Sequence, residues 1–163
     1  MSEGGCLSKP TQRIMVAPHF CNVDLEIASR SDLKLLEAEL GRKVVALSGG
    51  PVSPGCFLLR LETAKQYDNA DDTICAFCAW LGALSPTGRR AWKSAHKKVF
   101  DVGYEAVPPQ PASQFSLRTG TLKRMSHLGA ALGVTFYNHL KDKGNAQVKP
   151  ASRKRRSRNN STL

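Results

Sequence analysis

Residues 20–27 read Phe20-Cys21-Asn22-Val23-Asp24-Leu25-Glu26-Ile27. Cys21, Val23, Leu25 and Ile27 alternate with Phe20, Asn22, Asp24 and Glu26. A period of two with one apolar side is the pattern of a strand buried on one face. Ser29-Arg30-Ser31-Asp32 then offers helix caps, and LKLLEAEL places Leu33, Leu36 and Leu40 on one helical stripe that ends at Gly41.

Strands and helices alternate onward from there. Val44–Leu47 is a short β-branched run that stops at Ser48-Gly49-Gly50-Pro51. Cys56–Glu62 reads as its partner strand, reached across an eight-residue connection. Asn69, Asp71 and Asp72 favour a helix start, because acids suit the positive N-terminal end. Ile74, Phe77, Cys78, Leu81 and Leu84 are the core face of that helix. Ser85-Pro86 opens a second helix, predicted over 86–98. Val99–Val107 is a strand with Phe100, Val102, Tyr104 and Ala106 on one side. Pro108-Pro109-Gln110-Pro111 is a stiff link. Thr119–Ala131 is a helix with Leu122, Met125, Leu128 and Leu132 in its stripe and Gly133 at its end, and Val134–Tyr137 is a last short strand.

The predicted order is β-α-β-β-α-α-β-α-β. Few strands with interleaved helices point to an α+β fold, a small mostly antiparallel sheet with helices on one face. The expected form is a ferredoxin-like core plus a C-terminal helix and strand. At 163 residues the chain is one domain's worth. The expected division is a flexible leader over 1–17, one domain over 18–140 and a disordered basic tail over 141–163.

Composition excludes several classes. Apolar residues make up 41% and charged residues 23%, ordinary globular usage. No run approaches the roughly 20 apolar residues of a membrane span, so no membrane is expected as a partner. The N-terminal stretch lacks the apolar core of a secretory signal. Five cysteines, an odd number, argue against a disulfide framework. A cytoplasmic protein with free thiols is expected.

The net charge of +11 is uneven. Residues 141–163 hold eight basic groups against one acid, Asp142, and carry most of the surplus. Arg153, Lys154, Arg155, Arg156 and Arg158 form the densest cluster. In the body, Arg89, Arg90, Lys93, Lys97 and Lys98 line the predicted helix 86–98. A basic stripe with a basic tail fits a phosphate backbone, and these ten residues are the candidate nucleic-acid or partner contacts. Trp92 lies among them, with core anchoring set against stacking on a base.

Catalytic and metal sets are weak. Cys75-Ala76-Phe77-Cys78 lacks the second ligand pair of a zinc site. It also lies too far into an apolar helix face for a redox pair, so core packing is expected. His19, His96, His127 and His139 have no partner at ligand spacing. Asp24 with Glu26, and Asp101 with Glu105, share strand faces and are the candidate acid–base pairs, a pattern that exposed sheets also carry routinely. The Ser48–Gly55 stretch lacks the lysine of a phosphate loop.

AWKSAHKKVFDVGYEA (91–106) and FSLRTGTLKRMSHLGAALGVTFYNHL (115–140) together resemble an uncharacterised bacterial family of small α/β domains. Its members carry a Trp before an FDIGY-like strand and end on a TLxRxxxLGAxLxVTxY-like helix and strand. Trp92, Phe100, Asp101, Gly103, Tyr104, Thr121, Leu122, Arg124, Leu128, Gly129, Ala130, Leu132, Val134, Thr135 and Tyr137 fill that pattern. The resemblance implies a compact domain of bacterial or phage-like, cytoplasmic origin, and it supplies no catalytic role to carry over. The expected function is a non-enzymatic binding domain acting through protein contacts, of inhibitor, immunity or adaptor type, without cofactor. The alternative is a nucleic-acid-associated protein.

Overall fold

The computed structural model describes residues 19–106 and 114–138. The expected leader, the Pro108–Pro111 link and the basic tail with Arg153, Lys154, Arg155, Arg156 and Arg158 lie outside the described residues.

The elements are β1 (His19–Ser29), α1 (Lys34–Leu40), a 3-10 turn (Gly41–Lys43), β2 (Val44–Ser53), β3 (Cys56–Thr63), α2 (Ala70–Gly82), α3 (Pro86–Ser94), β4 (Lys97–Ala106), α4 (Thr119–Leu128) and β5 (Ala131–Asn138). They form one open five-stranded sheet in the order β2-β3-β1-β4-β5. The first four strands pair antiparallel. β5 runs parallel to β4, as expected when a helix carries the chain between neighbouring strands. The fold is α+β with a mixed, mostly antiparallel sheet.

One hydrophobic core holds the layers together. Val23, Leu25 and Ile27 of β1, Leu59 and Leu61 of β3, and Phe100, Val102 and Tyr104 of β4 project from one sheet face. They meet Leu36 and Leu40 of α1, Ile74, Phe77 and Leu81 of α2, Trp92 of α3 and Met125 of α4. Burying each such side chain contributes about 1.5–3 kcal/mol. The caps follow sequence chemistry. Asn69 accepts from the Asp72 amide at 2.9 Å, and Ser85 accepts from the Gly88 amide at 3.1 Å ahead of Pro86.

Four local expectations are corrected. Phe20 does not sit with Asn22 and Asp24: a bulge between Phe20 and Asn22 leaves Cys21 as the extra residue. The alternation slips by one there, and Phe20 packs on the core face beside Tyr104, with ring centroids 5.9 Å apart. β2 does not break at Ser48–Pro51 but runs on to Ser53. The Pro54-Gly55 pair alone makes the turn to β3, with Gly55 at φ 70°. β2 is an edge strand, so Pro51 is tolerated.

α3 stops at Ser94 rather than running to residue 98. Ala95 turns extended, and the His96 amide donates to Ala28 O at 2.9 Å, which feeds Lys97 and Lys98 into β4. Last, α4 ends at Leu128, because Gly129 takes the left-handed conformation at φ 65°. Leu132 therefore belongs to β5 and is 40% exposed, and Leu122 is 47% exposed rather than core. Thr121 and Met125 carry the buried side of α4 instead.

Candidate functional site

The five predicted basic residues do not share one helix: α3 ends at Ser94, and Lys97 and Lys98 stand on β4. Arg89, Arg90 and Lys93 are exposed on α3. The Arg89 guanidinium closes the end of α2, 3.4 Å from Gly82 O and 3.3 Å from Leu84 O, where a cation suits the negative helix terminus. Arg90 donates to the Thr87 hydroxyl at 3.1 Å. Lys97 projects from the far side of the sheet and pairs with Glu26 at 2.8 Å. Lys98 points back to the helices, 5.4 Å from the Trp92 ring centroid. Trp92 is 3% exposed and donates its indole N–H to Leu128 O at 2.9 Å. Burial removes it from base stacking. Pairing along β4 sends neighbouring lysines to opposite faces, which a helical reading of 86–98 cannot anticipate.

The sheet face opposite the described helices carries carboxylates. Register sets Asp24 of β1 directly opposite Asp101 of β4, and Asn22 opposite Gly103. From β3, Glu62 and Arg60 project onto the same face. The Asn22 amide bridges two acids, donating to Asp24 Oδ1 at 3.0 Å and to Glu62. Asp101 accepts from the Thr135 hydroxyl at 3.0 Å. Burial, then the neighbouring Glu62 carboxylate, push the Asp24 carboxyl up to about 6; Arg60 opposes and Asp101 adds to the rise. Glu26 behaves oppositely: hydrogen bonds from Lys97 and Arg60 hold it below the usual carboxylate range despite partial burial. The two acid pairs read from sequence thus merge into one patch, and the sequence reading missed Glu62, Asn22 and Arg60. Only register brings those three in, because 40 residues separate Asn22 from Glu62.

At this end of the sheet a cleft of about 600 Å³ is lined by Asn22, Glu62, Tyr67, Asp68 and Thr73. Among the described residues no group of three or more Asp, Glu, His or Cys side chains is placed to hold a metal. Cys75 and Cys78 sit in the body of α2. Burial and the nearby Cys75 push the Cys78 thiol up to about 11. Cys75 lies 3.2 Å from the Thr121 hydroxyl and packs α2 against α4.

The β5 edge of the sheet is apolar. Among the described residues β5 pairs with β4 alone, and its eight residues, ALGVTFYN, carry no charge. Leu132, Phe136 and Tyr137 are 40%, 55% and 45% exposed. Phe136 stacks on Tyr104 with centroids 6.0 Å apart, and Phe115, 41% exposed, lies 5.2 Å from the same ring. Edge strands are ordinarily blunted by charge, proline or bulges. β2 follows that rule with Pro51 and two register shifts; β5 does not.

Among the described residues no helix is long and apolar enough to cross a membrane. No protein-family model, no curated protein and no solved structure matches this chain.

Proposed function

We propose that this chain is a non-enzymatic cytoplasmic binding domain that works through protein contacts made at the β5 edge. The observation that carries this is the uncharged edge strand, with Leu132 and Phe136 exposed on the face of the Tyr104–Phe115–Phe136 ring cluster and Tyr137 exposed on the opposite face beside Gly103. Such an edge takes an extended partner segment by strand addition: backbone hydrogen bonds give affinity and alternate side chains give specificity. Inhibitor, immunity and adaptor roles all fit a surface of this kind. A ferredoxin-like core over β1–β4 is proposed with it, supported by the strand order β2-β3-β1-β4 and the α1 and α2–α3 connections.

The test is quantitative capture from the host cell. Full-length wild type is compared with a Leu132→Lys/Phe136→Lys variant whose circular dichroism melt matches wild type. A specific partner lost at least tenfold by the variant, roughly 1.4 kcal/mol or more, supports edge binding. Equal capture by both, or chaperones alone, overturns it.

A second reading, contact with a nucleic-acid backbone, is favoured by one observation. Arg89, Arg90 and Lys93 are exposed on α3 and form no ion pair among the described residues. Fluorescence anisotropy with a labelled duplex, comparing the full chain with its Arg89→Gln/Arg90→Gln/Lys93→Gln variant, decides it. Backbone binding falls by orders of magnitude between roughly 50 and 200 mM salt. Absence of binding at low salt ends this reading.

A further inference from the structure

The residues of β5 alternate between two faces. Val134 packs against the core and Phe136 stacks on Tyr104 with ring centroids 6.0 Å apart, so both look toward the helices. Leu132 shares their parity. Thr135 donates to Asp101 at 3.0 Å and Tyr137 lies beside Gly103, so these two, with Gly133 and Ala131, look the other way.

About Val134 the strand is symmetric in character. Bulky Leu132 and Phe136 stand two residues to either side, and the smaller Gly133 and Thr135 one residue to either side. At three residues, small Ala131 answers large Tyr137. A second β5 laid antiparallel, with Val134 on the two-fold axis, therefore meets the first with like faces aligned. Leu132 stands opposite Phe136, Val134 opposite Val134, Gly133 opposite Thr135 and Ala131 opposite Tyr137. Moving the axis to Thr135 sets Leu132 against the amide of Asn138 and loses that match. In the Val134 register Leu132 and Phe136, 40% and 55% exposed, cover each other across the seam. Phe115, 41% exposed, continues the same patch through Tyr104.

Charge and closure point the same way. Two copies of a chain of net charge +11 repel, and β5 brings none of that charge to the seam. A two-fold pairing uses both β5 edges at once, so it closes rather than propagates. The strands at the two outer edges of the joined sheet are then both β2, where Pro51 and two register shifts resist further addition.

We infer that the segment taken at the β5 edge is the β5 strand of a second copy of this chain, in an antiparallel two-fold pair centred on Val134. The inference rests on the proposed protein contact at the β5 edge and names its occupant. Any other partner at that strand competes with the second copy.

Sedimentation equilibrium of the full-length chain, from about 1 to 500 μM, tests it. Wild type passes from one chain to two and no further. Leu132→Lys/Phe136→Lys sets lysine against lysine on both sides of the axis and should weaken the dimer roughly a hundredfold. Leu132→Glu/Phe136→Lys sets glutamate against lysine at the same two contacts. It should dimerise roughly tenfold more tightly than the double-lysine variant, and the difference should shrink in about 1 M salt. Both variants change the same two positions, so a folding defect would weaken both alike, and circular dichroism melts identify one. A wild-type mass of one chain at every concentration, growth beyond two chains, or equal dimerisation by two folded variants overturns the inference. A monomeric wild type that still captures a host partner through this edge overturns it and leaves the proposed function standing. A dimer that captures chaperones alone upholds it and removes the foreign partner from the edge.

Discussion

Asp24 on β1 stands directly opposite Asp101 on β4, and Glu62 reaches the same carboxylate from β3 through the Asn22 amide. The folded state holds the Asp24 proton more tightly than the unfolded chain does. Its pKa rises from 3.8 to about 6 through burial and Glu62, opposed by Arg60 and increased by Asp101. For an acid raised in the fold, stability through this group falls as pH climbs from about 4 to 6 and stays reduced above. Asp24→Asn should therefore stabilise the protein by about 1–2 kcal/mol at pH 8. The gain should shrink to near zero at about pH 4.5, where wild-type Asp24 is largely protonated. Thermal melts across pH measure this. Equal destabilisation at both pH values would mean that Asp24 contributes chiefly as a hydrogen-bond acceptor.

Asp71 presents the opposite case. Burial alone would raise it, but the Arg118 amide at 2.7 Å, Thr121 and the Arg118 guanidinium hold its carboxyl below the usual range. The pair ties the start of α2 to the residue that opens α4. An acid lowered in the fold contributes above its unfolded pKa and loses that contribution as pH falls through the folded one. Asp71→Asn should cost about 1–3 kcal/mol at pH 7 and much less near pH 3. Urea midpoints at the two pH values check it; an unchanged cost at low pH would falsify the role given to the charge.

Trp92 anchors α3 to the far end of α4 through its indole hydrogen bond to Leu128 O at 2.9 Å. Trp92→Phe keeps most of the ring area but leaves that carbonyl without its donor, a cost of about 1–3 kcal/mol. Denaturant unfolding followed by circular dichroism reads this. A loss under half a kcal/mol, roughly, would show that water replaces the indole at no cost.

Gly103 faces Asn22 across the sheet. A Cβ there would sit 2.5 Å from Asn22 Oδ1 and 3.0 Å from Tyr137 Cε2. Gly103→Ala should displace the Asn22 amide from Asp24 and Glu62, costing about 1–3 kcal/mol. An NMR titration of the Asp24 carboxyl in the same variant should show an altered pKa. A melt and titration matching wild type would mean that Asn22 moves freely.

Much of the fold was legible beforehand. The alternation over Val23–Ile27, the caps at Asn69 and Ser85, and the Ile74–Leu81 stripe depend on neighbours within a few residues, and the observed element order follows them. Where long-range pairing competes with local pattern, local pattern loses. Lys97 and Lys98 continue a helical charge spacing, yet β1 captures the chain at His96 and makes them strand. Leu132 fits the α4 stripe, yet Gly129 ends that helix first.

By itself, the sequence determined the number and order of elements, the α+β class and the concentration of positive charge beyond residue 140. Helical and strand periods, caps and charge counts are local properties of the chain. Tertiary structure alone decided which carboxylates share a face and that β5 is an uncharged edge with Phe136 exposed. Each of these depends on strand order and register. Pairing between residues distant in sequence sets both, and no local pattern encodes it.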